Sequence, residues 1–315
     1  METAVSRLLA PCLVTAFGAG WLGAPAAPAA ELGTKPAELV AKLRGHIQSI
    51  DARLDGVLGV YVEDPASGTV IELRADEVFP TASSIKLAVL YELYRQADEG
   101  RIDLAEVTRA PLPRVTGGGV LELLGDRVSL TWRDLAVLTH VWSDNEAANL
   151  LVRRVGIDAV NRRLDALGLP QTRLRRQMMD LAAARRGDEN VSTPRELARL
   201  AAILARGEAL TSDRARDLLA LATLRDPLSS FRRALPEDQR ALNKRGELEG
   251  VRCDAGWVDL PGRPYTAAIM TAYLKREADG EAAIAELSAA IYSTFDRLAR
   301  SSEYGRIISD RDTGK

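Results

Sequence analysis

Apolar positions along the chain fall into three regimes, and their order predicts the architecture. Residues 36–54 place Leu39, Leu43, Ile47 and Ile50 on one side of a helix. Residues 56–64 and 69–76 alternate apolar and polar around Pro65-Ala66-Ser67-Gly68, the pattern of a β-hairpin. A helix then runs from near Ser83 to about Gly100. Residues 101–130 are irregular, with Pro111, Pro113 and Gly117-Gly118-Gly119 marking loops. The middle returns to helical spacing over 131–142, 145–155, 157–167, 193–205 and 213–224. Thr131 and Thr193-Pro194 supply helix starts. From Val251 a second hairpin, 251–260 and 265–274, turns at Pro261-Gly262-Arg263-Pro264. A helix over 281–299 follows, and 301–315 reads as a loose polar tail.

Strands at both chain ends with helices between them predict an α/β fold. One antiparallel sheet, assembled from both ends, is flanked by the terminal helices, and an all-helical lobe is inserted. The α/β lobe spans about 36–105 and 226–300 and the helical lobe about 106–225, within one domain of 36–300. A cleft between lobes is the natural place for a site.

Composition narrows the function. The formal charge of −2 over 315 residues leaves no electrostatic footprint for nucleic acid. Residues 1–30 read as an export signal: Arg7, an apolar stretch over 8–20, then the small residues Ala27-Pro28-Ala29-Ala30. Pro11, Pro25 and Pro28 argue against a stable membrane anchor there. Once that segment is removed only Cys253 remains, which excludes an internal disulfide. His46 and His140, the only histidines, sit in separate helical patterns, so neither a Ser-His-Asp triad nor a metal site is expected, and no cofactor motif is present. The expectation is an exported, periplasmic or extracellular monomer acting on a small molecule.

Three short segments carry chemistry. Ser83-Ser84-Ile85-Lys86 sets a hydroxyl three residues before an amine at the start of an apolar helix. A buried amine beside a hydroxyl loses its proton near neutral pH and can serve as its base. The alternative is a helix cap with Lys86 pointing to water. Ser143-Asp144-Asn145, between two helices, offers a hydroxyl to relay a proton and an amide to hold a substrate carbonyl, or again a cap. Lys244-Arg245-Gly246, just before a strand, offers a cation beside an open backbone edge.

In this order the three segments resemble the Ser-x-x-Lys, Ser-Asp-Asn and Lys-Thr-Gly set of class A β-lactamases and penicillin-binding proteins. The resemblance implies that Ser83 is the acyl-accepting nucleophile and Lys86 its activator. It implies that Ser143 relays a proton to the leaving nitrogen, Asn145 binds the substrate amide, and Lys244 with Arg245 and Gly246 receives the substrate carboxylate. The oxyanion hole would be the backbone N–H groups of Ser83 and Glu247, and Gly117–Gly119 a cleft rim or a plain flexible loop. Two departures stand out. Where active class A β-lactamases carry a glutamate that activates water, this chain has Met178, with Asp180 two residues on as a possible substitute. Arg245 replaces the usual hydroxyl residue. Arg176, with Glu189 or Asn190, is expected to close the intervening loop. The resemblance thus implies a serine hydrolase of β-lactams or related amides and esters that deacylates weakly. The alternatives are a D,D-peptidase or esterase acting on cell-wall peptides or small esters, or a non-catalytic ligand-binding relative.

Overall fold

The computed structural model describes residues 33–302 and 304–308. The expected export signal, over 1–30, and the end of the tail lie outside the described residues. No helix among the described residues is long and apolar enough to cross a membrane.

Helix α1 (Thr34–Arg53) leads into strands β1 (Val57–Asp64) and β2 (Thr69–Leu73), the expected hairpin. After β3 (Phe79–Pro80) come a 3-10 turn (Ala82–Ile85) and α2 (Lys86–Asp98). The irregular stretch carries β4 (Val107–Arg109), β5 (Ser129–Thr131) and a 3-10 turn (Leu121–Leu123). Helices α3 (Trp132–Val141), α4 (Asn145–Val155) and α5 (Ile157–Ala166) follow. Next come α6 (Leu181–Arg185), β6 (Val191–Ser192), α7 (Pro194–Arg206), α8 (Ser212–Ala222) and α9 (Ser230–Arg233). Strands β7 (Ala241–Leu248), β8 (Val251–Val258) and β9 (Tyr265–Ala272) precede α10 (Glu277–Ala299).

The main sheet runs β2-β1-β9-β8-β7, antiparallel throughout, so both chain ends do build one sheet. Strand period sorts its side chains by face. Leu58, Val60 and Ile269 meet Leu43, Ile47 and Ile50 of α1 and Leu287, Ile291 and Phe295 of α10. Tyr61, Ala268 and Met270 join the other core, with α2 and α7. Helix α2 is buried over most of its surface, because it runs between the sheet and the helical lobe.

Three expectations need correction. Lys244-Arg245-Gly246 lies inside β7, the edge strand, rather than before a strand. Its polar run and central glycine have poor strand propensity, and pairing along the whole of β8 overrides that. The last helix begins at Glu277, four residues earlier than its apolar pattern suggests. Within the tail, Ser301 bridges to Ile307, so that part is folded back on itself.

Candidate active site

The turn that carries Ser83 is pinned from behind. Thr81 donates its N–H to the Asn190 carbonyl at 2.9 Å, and its carbonyl accepts from Cys253 Sγ at 2.8 Å. Ser84 Oγ donates to the Lys244 carbonyl at 3.0 Å and lies 3.2 Å from Cys253 Sγ, so that hydroxyl is committed to the core. Neither serine caps α2, which removes the capping alternative. Ser83 instead is half-buried and lines the cleft. Side chains at i and i+3 of a 3-10 turn eclipse one another, so Ser83 and Lys86 leave the turn on the same side. Ala82, just before the serine, has φ of 46°, a left-handed conformation that costs energy in a non-glycine residue.

Lys86 is fully buried and converges on the second segment. Its Nζ lies 2.5 Å from the Ser143 carbonyl, 3.2 Å from Ser143 Oγ and 2.9 Å from Asn145 Oδ1. Burial and then the nearby Lys244 charge push its pKa well below the usual lysine range. A neutral amine donates to two of those acceptors and keeps a lone pair for a hydroxyl proton. Ser143 sits at φ of 55° between α3 and α4, a strained position like that of Ala82. Asp144 does cap α4, accepting from the Ala147 N–H at 2.8 Å. Its other oxygen takes the N–H groups of Val120 and Leu121, both at 2.7 Å. Asn145 Nδ2 donates to the Gly117 carbonyl at 3.1 Å, which ties the glycine run to the cleft, where Gly117 is part of the lining. Strain at Ala82 and Ser143 is concentrated where these groups meet.

On the third wall, β7 approaches the Ser83 turn through Gly246. A Cβ there would stand 2.3 Å from the Thr81 carbonyl oxygen and 2.6 Å from Cys253 Sγ. Gly246 thus lets the strand touch the turn's backbone and does not itself line the cleft. Gly246→Ala should force the two apart, lowering stability by roughly 1–3 kcal/mol, with a matching fall in thermal midpoint. Lys244 is sealed off, its Nζ without a hydrogen bond and 4.0 Å from Asp226 Oδ2. Burial lowers its pKa to about 8. Arg245 and Glu247 face the cleft. Arg245 Nε donates to Asp226 Oδ2 at 2.8 Å, and its guanidinium also pairs with Glu247.

The loop over 173–194 brings Met178 into the cleft wall. Asn149 clamps its backbone in both directions: the Met178 N–H reaches Asn149 Oδ1 at 2.7 Å, and Asn149 Nδ2 reaches the Met178 carbonyl at 3.0 Å. Arg176 pairs with Glu189 at 2.6 Å across the loop's neck, as its charges suggest. Asp180 is exposed, outside the cleft lining, and its carboxylate accepts from the Ala183 N–H at 2.9 Å as the cap of α6. It therefore does not share the cleft with Ser83.

Sequence reasoning missed Asn149, Asp226 and Cys253. Asn149 follows Asn145 by one helical turn, a spacing that marks a shared face. Asp226 sits in an Asp-Pro turn whose only local signal is the turn itself. Among the described residues no cluster of three metal-ligating side chains exists.

A serine and a buried lysine meet a Ser-Asp-Asn segment and an edge strand in the cleft of a two-lobed α/β fold, which defines a serine hydrolase of the β-lactamase type. The chain belongs to the β-lactamase enzyme family, whose model matches residues 42–295. A β-lactamase of Streptomyces cellulosae is 34% identical, over 81% of this chain and 84% of its own length. A solved β-lactamase from Sphaerobacter thermophilus is 30% identical with a TM-score of 0.74, covering 81% of this chain and 97% of its own. Also similar is a leucine-to-glutamate mutant of PBP-A, solved as an acyl-enzyme complex with penicillin-G. It is 27% identical with a TM-score of 0.74, covering 82% of this chain and 98% of that one.

Proposed function

We propose that the protein opens β-lactams, or related amides and esters, through an acyl-Ser83 intermediate that it releases slowly. The observation that carries this is the convergence of Lys86 Nζ on Ser143 Oγ and Asn145 Oδ1 at the floor of the cleft that Ser83 lines. In this reading neutral Lys86 takes the Ser83 proton as Oγ attacks the substrate carbonyl. The developing oxyanion is received by the backbone N–H of Ser83, near the start of a helical turn, and by that of Glu247 on the edge strand. Such donors are typically worth ~10²–10³ in rate. Ser143 passes a proton to the leaving nitrogen, and Asn145 holds the substrate amide. The cation for a substrate carboxylate is Arg245 at the cleft face, with Lys244 behind it contributing charge. Met178 offers no proton acceptor, so the acyl group waits for unassisted water.

Met178 also supports a second reading, a D,D-peptidase or esterase whose natural acyl group leaves by another route. Export rests on the pattern of residues 1–30 alone.

A chromogenic cephalosporin, followed by colour and by intact mass, separates these outcomes. The expected result is a burst of about one equivalent with a persistent mass adduct, absent from Ser83→Ala. Sustained colour would instead mean efficient turnover. Neither colour nor adduct, with small esters also left intact, would sink the acyl-serine reading.

A further inference from the structure

The cation that meets the cleft is already occupied. Asp226, buried, holds the root of the Arg245 side chain through Nε at 2.8 Å. The outer part of the guanidinium pairs with the Glu247 carboxylate. Two residues apart on one strand, Arg245 and Glu247 project from the same face, and both line the cleft with Ser83. Lys244 lies fully buried behind Arg245, with the same Asp226 oxygen as its ion partner at 4.0 Å. Asp226 and Glu247 thus oppose the charges of Lys244 and Arg245 at this end of the cleft, and the buried Asp254, across from Arg245 on β8, adds a further carboxylate. Any anionic group arriving there meets Glu247 at the guanidinium it needs.

We infer that Glu247 is a specificity-determining residue: its carboxylate occupies the face of Arg245 that a substrate carboxylate would take. Anionic substrates must displace the protein's own side chain, and neutral esters and amides need not. The inference rests on the acyl-serine reading only for which cleft the substrate enters. Glu247 is suited to give way, its side chain being 44% exposed against 12% for Arg245. Arg245 is suited to stay, because the buried Asp226 fixes it whether or not Glu247 is present. Glu247 thereby discriminates by repulsion.

Binding measured in a Ser83→Ala background tests this without any covalent step. The probes are benzylpenicillin, which carries a carboxylate, and its methyl ester, which does not. Glu247→Gln, equal in size and uncharged, is expected to tighten benzylpenicillin about tenfold and to move the ester by less than about twofold. The difference should shrink as salt is added, because the pair sits at the rim. Glu247→Ala should reproduce the gain, and unchanged thermal midpoints confirm intact folds. An equal gain for acid and ester, no gain, or binding undetectable in every variant overturns the inference. The acyl-serine reading is judged separately, by the mass adduct on the protein that keeps Ser83; its absence would leave the binding ratio standing.

Discussion

Met178→Glu is expected to shorten the life of the acyl-enzyme by about 10²–10⁴-fold, the usual worth of a positioned general base. The backbone at this position is held independently of its side chain. Asn149 clamps both the N–H and the carbonyl of Met178. Asn190 Oδ1 takes the N–H groups of Arg175 at 2.8 Å and Arg176 at 3.1 Å, and Arg176 closes the neck on Glu189. A glutamate therefore enters a preformed mount in the wall of the cleft that Ser83 also lines, where a carboxylate can accept a proton from water and a thioether cannot. The check is single turnover: acylate with benzylpenicillin, remove the excess, and follow loss of the adduct by intact mass. An unchanged lifetime would mean that the new carboxylate does not reach the water that attacks the ester. Asp180→Asn should leave the lifetime unaltered, because that carboxylate caps α6 outside the cleft.

Lys86→Met is expected to slow acylation by about 10²–10⁴-fold, with the wild-type pH profile as the diagnostic. Burial holds the Lys86 pKa well below its ordinary value, and only the neutral amine accepts a proton. The rate of acylation should thus rise tenfold per pH unit on the acid side and level off once Lys86 is neutral. Lys244, lowered to about 8 by burial, loses its charge as pH passes that point. For a carboxylate-bearing substrate kcat/KM should then fall, whereas for a neutral ester it should hold. In Lys86→Met the acid limb should flatten while the alkaline limb for the anionic substrate persists. An acid limb unchanged in the variant would assign the base to another group.

Much of this was legible from local pattern. The hairpins, the terminal helices and the helical insertion follow from periodicity and turn residues, because each element buries one face and its neighbours in sequence complete it. The strand carrying Lys244 was not, because Asn243-Lys244-Arg245-Gly246 is a poor strand by composition and is held by full pairing with β8. The Ser83 turn shows the same limit. Its spacing suggests a pair, but that Ser84 is spent on Lys244 and Cys253 while Ser83 opens to the cleft depends on residues more than 150 positions away.

Residue identity alone decided which chemistry is available: a serine and lysine one turn apart, a second hydroxyl with an amide, an arginine beside a lysine, and a thioether on the loop over 173–194. Only the tertiary structure decided what those groups do to one another. Burial makes Lys86 a candidate base, Asn149 fixes Met178 at the cleft wall, Asp180 is spent as a cap, and Asp226 and Glu247 claim Arg245. The physical reason is that proton affinity and charge availability depend on desolvation and on partners far along the chain, and the fold alone assembles those.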